Sequence, residues 1–280
     1  MTKIKLHSGN DVAETLLIAL YARAQEARQP VPLVRDARAA ALVEQIDYDF
    51  ARLRLQSHDQ VFTMMRVREF DRRARDFLAR HPQAVVIHIG CGLNTRFERV
   101  AERHATVTWY DLDLPEVIAL RRQLIGEAER CHLIGCSVFE ESWLETVSVH
   151  ASRPFLFLAE GVFPYFEEAQ VKALFLTFMQ RFPGAELVCD AMSPLMVWVN
   201  NLHLRYFRAG ARLHWGLRRG RDPESWGTGI RLLNEWFYFD EPEPRLGAAR
   251  LMRYLPPLAQ GTGIYHYQLG RSRQERRRGV

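Results

Sequence analysis

The segment Ala84-Val-Val-Ile-His-Ile-Gly90 constrains the fold more than any other in the chain. It is short, apolar and rich in β-branched residues, and it is bounded by Pro82 and Gly90. Such a run reads as a strand buried on both faces, as in a parallel sheet. Further strand candidates follow at 106–111, 131–136, 154–159, 185–191 and 263–269, with helical patterns between several of them. Residues 115–130 open with Pro115-Glu116, suited to a first helical turn, and residues 167–182 carry Val171, Leu174, Phe175 and Phe178 at helical spacing. Strand and helix alternating at this rhythm predict a doubly wound α/β sheet.

Before that rhythm begins, the pattern is helical. Residues 11–28 read as one helix, ended by Pro30 and Pro32, and 36–55 as a second. Residues 64–80 form a clearer third helix that stops at His81-Pro82. Residues 192–262 interrupt the alternation and are rich in Trp, Arg, His and Pro. A long insertion near the end of a sheet often covers a site. The expectation is one domain. It has a helical extension over 1–80, a sheet core over 81–191 and 263–270, a covering insertion over 192–262, and a disordered basic tail over 271–280.

Charge and cysteine usage bound the function. Of the formal net charge of +5, the last ten residues hold five Arg and one Glu, so the body is near neutral. That argues against a nucleic-acid partner, because phosphate recognition leans on a broad basic face. No stretch approaches 18 apolar residues without a charge, so no membrane partner is expected. The opening MTKIKLHSGNDVAE lacks the apolar run of a secretory signal, which makes the cytoplasm the expected location. Cys91, Cys131, Cys136 and Cys189 form no C-x-x-C pair, and no His pair has metal-ligand spacing. Reduced, buried cysteines and no metal are expected.

Four signals point to a site. Gly90-Cys91-Gly92 follows the first buried strand, and glycines there let the backbone approach a ligand. The third glycine of a dinucleotide fingerprint is missing, since Thr95 follows Asn94. Asp111-Leu-Asp113 ends the next strand, where an acid reaches ribose hydroxyls; either Asp equally suits capping of the helix at Pro115. Glu160-Gly161 ends the fourth strand, facing a cationic ligand or serving a turn. Arg66 shares the apolar face of Phe70 and Phe77, and a buried arginine needs an anion, from the protein or from a ligand.

The runs VVIHIGCGLNTRFERV, TWYDLDLPEVIALRRQL, LFLAEGVFPYFEEAQVKALF and RFPGAELVCDAMSPLM together resemble the leucine carboxyl methyltransferase family. The likeness is to its bacterial branch of tetracenomycin-type polyketide O-methyltransferases, and it spans roughly residues 11–269. The resemblance implies a class I, Rossmann-like fold that binds S-adenosylmethionine and transfers methyl to oxygen. By the same resemblance, Arg66 holds the methionine carboxylate and Gly90, Cys91 and Gly92 form the cofactor loop. Asp113 takes the ribose, Glu160 stands at the cofactor, and Tyr165 lies near the substrate carboxylate as the expected catalytic group. Ser137 and Val138 stand where many members have Asp-Leu for the adenine. Asn94 replaces a usual Asp, and Pro164 a larger apolar residue.

A carboxylate acceptor, ionised at neutral pH with a pKa of about 4, needs no general base, whereas a phenol with a pKa of about 10 does. His203 and His214 are the candidates for that base. The expected partner is a small molecule. An oxidoreductase using a nicotinamide cofactor and a non-catalytic binding relative are the alternatives.

Overall fold

In the computed structural model, residues 3–5, 11–53, 55–206 and 212–270 are described, so the basic tail over 271–280 lies outside the described residues. The first third of the chain is helical: α1 (Asp11–Glu26), α2 (Ala37–Gln45) and α3 (Ser57–Arg80), with the short strands β1 (Ile4–Lys5) and β2 (Ile46–Asp47) paired in parallel. The alternating part follows as β3 (Val85–Ile89), α4 (Arg96–Val100), β4 (Thr108–Asp113), α5 (Pro115–Leu124), β5 (Cys131–Gly135), α6 (Ser142–Ser148), β6 (Phe155–Ala159), α7 (Glu168–Arg181) and β7 (Ala185–Met192). Then come α8 (Pro194–Tyr206), β8 (Ile230–Phe237), a kinked 3₁₀ segment (Pro244–Tyr254), α9 (Pro256–Ala259) and β9 (Thr262–Leu269).

Seven of these strands form one sheet in the order β5-β4-β3-β6-β7-β9-β8. The pairs from β5 to β7 are parallel, and β9 runs antiparallel to both β7 and β8. The chain winds outward from β3 through β4 to β5, then returns to the other side of β3 with β6. That reversal leaves a crevice beyond the carboxyl ends of β3 and β6, the place where open α/β sheets bind ligands.

The apolar run that opens the sheet is buried on both faces, because its alternate side chains enter different cores. Val85, Ile87 and Ile89 pack with Trp143, Phe157, Phe175 and Phe178 on one face. Val86 packs with Phe70, Phe77, Trp109 and Leu158 on the other, under α3. His88 falls on that second face and is fully buried.

Four expectations change, the first being the helix expected over 64–80, which already begins at Ser57. The helix expected over 36–55 stops at Gln45, where Ile46–Asp47 pair with Ile4–Lys5, and a 3₁₀ turn covers Phe50–Leu53. The helix expected over 115–130 ends at Leu124, and the amides of Ile125 and Gly126 both donate back to the Arg121 carbonyl. The segment 192–262 is more than a cover, since Ile230–Phe237 joins the sheet as its edge strand. Its alternation is broken by a bulge between Leu232 and Asn234, and Arg231, Asn234 and Glu235 are exposed, so it carries no apolar run to read.

Candidate active site

The Gly90-Cys91-Gly92 turn leaves β3 at the crevice. Gly90 has φ 64°, and a Cβ there would collide with Val162, which follows the Glu160-Gly161 pair on the neighbouring strand end. Only glycine permits both that backbone and that approach. The turn is held from β4, because Asp113 accepts a hydrogen bond from the Gly92 amide at 2.7 Å and from the Leu114 amide at 2.8 Å. Asp113 does not cap α5, whose N-cap is Leu114 without a side-chain bond. Burial raises the Asp113 carboxyl above its ordinary value, against the pull of these two amides. Hydroxyl donors to its remaining lone pairs would relieve that cost.

Asp111, the other acid of the pair, serves the interior. It is fully buried and accepts from Arg121, from the Trp109 indole at 2.8 Å and from His88. Burial alone would raise its carboxyl, but Arg121 outweighs that and holds it far below the usual range. Arg121 also donates to the carbonyls of Gly92 at 3.0 Å and Asn94 at 2.7 Å, bracing the glycine turn from below.

Arg66 projects from α3 into the crevice. Its Nε donates to Glu160 Oε1 and its Nη1 to Asp190 Oδ2, each at 3.1 Å. The anions that its apolar helix face required are therefore protein carboxylates. Among the described residues, Nη2 of Arg66 makes no hydrogen bond and remains available to a ligand. Gly161 lets the guanidinium lie close, since a Cβ there would stand 3.5 Å from Nη1, and its amide donates to Asp190 Oδ1 at 2.7 Å.

Behind Glu160 stands Arg96, fully buried, which donates to Glu160, to Asp71 at 2.8 Å and to His88 Nε2 at 2.9 Å. Arg99 extends the lattice to Asp71 and Asp36, and Arg23 joins Asp36 at 3.1 Å. Burial works against the Glu160 carboxylate, yet Arg96 and Arg66 hold it down to about 2. Asp190 differs: burial outweighs Arg66 and raises its carboxyl.

The cavity is lined by Leu16, Ile18 and Ala19 from α1, by Arg66, by the 90–94 turn, by Glu160 and Gly161, and by Pro164, Tyr165, Asp190, Met192 and Leu213. Its wall joins charged side chains to apolar ones. Of the expected site residues, Arg66, Gly90, Cys91, Gly92, Glu160 and Tyr165 line this cavity. Asp113, Ser137 and Val138 do not; they follow it along the ends of β4 and β5, where Asp113 pairs in register with Gly135. The Ser137 hydroxyl accepts from the Phe139 amide at 3.3 Å in a local turn.

His214 also lies outside the cavity wall, paired with Glu167 at 2.7 Å. Its amide and that of Trp215 donate to the Pro164 carbonyl, which straps the 212–215 segment over the Tyr165 turn. The side chain of His203 lies outside the described residues. Sequence reasoning missed Asp190, Arg96, His88 and the α1 contribution. Asp190 had a usable signal, as the acid at the carboxyl end of a core strand; the others depend on tertiary contacts.

The donor set suits S-adenosylmethionine. It offers an acidic acceptor for hydroxyls at Asp113, a free guanidinium edge for a carboxylate at Arg66, and a carboxylate for a cation at Glu160. Nothing in it is shaped for a dinucleotide pyrophosphate, and a nicotinamide cofactor is not favoured.

The leucine carboxyl methyltransferase model matches residues 16–179. The chain is 39% identical to the tetracenomycin polyketide synthesis O-methyltransferase TcmP of Streptomyces glaucescens, over 91% of this chain and 96% of that protein. It is 32% identical to the S-adenosyl-L-methionine-dependent methyltransferase dpfgK of Gibberella zeae, over 80% of this chain and 81% of that one. The fold matches a putative methyltransferase from Thermobifida fusca with a TM-score of 0.58 at 14% identity, covering 91% of this chain and 95% of the other. The chain belongs to the leucine carboxyl methyltransferase family and is an enzyme that uses S-adenosylmethionine as methyl donor.

Proposed function

We propose that the protein methylates an oxygen atom of a small molecule, with a carboxylate as the acceptor group and a polyketide-like or other secondary metabolite as its scaffold. The observation that carries this reading is the absence of a free base on the cavity wall among the described residues. His88 has both ring nitrogens engaged and is buried. Glu160 is held at about 2 by two arginines, too weak a base to take a phenol proton, and both Asp190 oxygens are engaged, by Arg66 and by the Gly161 amide. His214 faces Glu167 outside the wall. A carboxylate acceptor arrives ionised and asks only for orientation.

S-adenosylmethionine, when bound, supplies an electrophilic methyl group on a sulfonium. The chain's own residues bind and align. Arg66 would hold the amino-acid carboxylate, Glu160 the ammonium, Asp113 the ribose, and Ser137-Val138 the adenine edge, while the Gly90-Cys91-Gly92 backbone lets the molecule lie close. Tyr165 would orient the acceptor. Leu16, Ile18, Met192 and Leu213 would exclude water, and such alignment alone is worth several kcal/mol. A reducing cytoplasm suits four free, buried cysteines. The name of the Streptomyces glaucescens relative supports the polyketide-like scaffold.

Labelled S-adenosylmethionine and a panel of small carboxylic acids and phenols test the reading. Product label released by mild base marks a methyl ester and supports it; base-stable label marks an ether and moves the acceptor to hydroxyl. Calorimetry with S-adenosylhomocysteine and with NAD checks the cofactor separately. Binding of NAD alone would overturn the assignment.

A further inference from the structure

Large apolar side chains are unevenly spread over this surface. Of the fifteen exposed ones among the described residues, eight lie on two neighbouring segments: Leu195, Trp198, Val199 and Leu202 on α8, and Leu251, Met252, Tyr254 and Leu255 near α9. The α8 set recurs at i, i+3, i+4 and i+7, so it forms one stripe, with Val197 turned inward and buried. From Leu251 to Pro257 every residue is exposed, with Trp198 at 61% and Tyr254 at 71%. The segments meet where the Ser193 amide donates to the Gly261 carbonyl at 2.7 Å and Met196 packs over Gly261.

The charge on these segments has one sign. No Asp or Glu occurs from residue 191 to 221 or from 244 to 270, while the same stretches carry nine arginines. Arg250 and Arg253 are exposed within the apolar run, and Arg253 stands 5.4 Å over the Tyr254 ring. A second copy of this chain is a poor occupant, because a two-fold contact would set arginine against arginine. Protein partners favour an apolar centre with charges at the rim. Here cationic and apolar side chains are interleaved, with Trp and Tyr among them, as in segments that lie in a lipid interface.

We propose that α8 and the 251–257 segment dock the enzyme on an anionic lipid surface. Among the described residues no helix is long and apolar enough to cross a membrane; surface contact obeys a different rule, that of buried apolar tips plus charge. The docked face adjoins the cavity, since α8 begins two residues after Met192 of its wall. An apolar acceptor dissolved in the lipid then enters the cavity without crossing water.

Flotation of the full chain with vesicles tests this. Vesicles of phosphatidylcholine mixed with phosphatidylglycerol should bind it and phosphatidylcholine alone should not, with binding weakened by salt. Replacing Arg250 and Arg253 by Ala should weaken binding roughly 25-fold, about fivefold for each arginine. Trp198→Ser with Tyr254→Ser should release the protein while leaving S-adenosylhomocysteine affinity and the melting temperature unchanged. No binding to anionic vesicles overturns the proposal. So does undiminished binding of both double variants, which would hand the contact to the arginine-rich last ten residues. Binding to soluble polyglutamate without binding to vesicles would assign the face to an acidic protein instead.

Discussion

Arg96 donates from Nη1 to the Nε2 of His88 at 2.9 Å, and both side chains are buried. A guanidinium only donates, so His88 accepts there and carries its proton on Nδ1, which points at Asp111 Oδ1 at 3.3 Å. The imidazole is neutral. It joins two ion pairs on either side of the β3 end, Arg121 with Asp111 and Arg96 with Glu160. Burial lowers the His88 pKa, and the flanking arginines Arg96 and Arg121 push the same way.

Arg96→Met removes the cation between two buried carboxylates, Asp71 and Glu160. Asp71 keeps Arg99 and Glu160 keeps Arg66, so each buried acid loses one of its two arginines and is not left bare, a cost of about 1–3 kcal/mol. Urea unfolding should show a loss of that size, and a loss under 1 kcal/mol would mean the lattice relaxes around the gap.

The same lattice sets the acid limit. Glu160 titrates at about 2 in the fold against an ordinary 4.5, so the unfolded chain binds more protons between these values. Its contribution is complete above about pH 4.5 and is lost as pH falls toward 2. Asp71, held to about 2 from 3.8 by Arg99 and Arg96 against burial, behaves likewise. His88, with a lowered pKa, begins to cost stability as pH falls below 6.5. Denaturant midpoints measured from pH 7 to pH 3 should therefore decline in two stages. A flat profile would contradict the assigned charge states.

Asp113→Ala should weaken S-adenosylhomocysteine binding by roughly 1–3 kcal/mol, from the loss of charge-assisted bonds and of the Gly92 anchor. Calorimetry reads this directly, and unchanged affinity would remove Asp113 from the ribose site.

Asp190→Asn keeps an acceptor for the Gly161 amide but loses the charge opposite Arg66. Affinity for S-adenosylhomocysteine should fall about tenfold, the size of one weakened charged bond. Asp190→Ala should fall further, because the Gly161 amide is orphaned too. Equal effects of the two variants would mean that the charge, and not the amide contact, matters.

Tyr165→Phe should lower turnover with cofactor affinity nearly intact. Tyr165 lines the cavity, is half-buried, and its hydroxyl makes no hydrogen bond among the described residues. If S-adenosylhomocysteine no longer binds, the acceptor lies elsewhere.

The sheet was legible because its central strands are buried on both faces, so that Phe155–Ala159 is wholly apolar and Val85–Ile89 is apolar but for His88. Strand β8 escaped because one face is exposed and a bulge shifts its register. Within the site, Arg66 and Glu160 were readable as charges out of place, on an apolar helix face and at a strand end. Asp111 and Asp113 share one strand face and one residue type. Only the third dimension separates them, by putting Arg121 under one and the Gly92 amide against the other. Arg96 and His88 gave no local signal, since each is explained by partners distant in the chain.

Strand β9 lies between β7 and β8, although it is the last of the three to be synthesised. Until it emerges from the ribosome, β7 has an open edge and β8 has no neighbour to pair with. Asp190 then lacks the strand that backs it, since its register partner is Ile264. The cavity wall at Arg66 is thus completed only when β9 has entered the sheet. A nascent chain halted after β8 would expose an unpaired, apolar sheet edge to aggregation before it could hold its methyl donor.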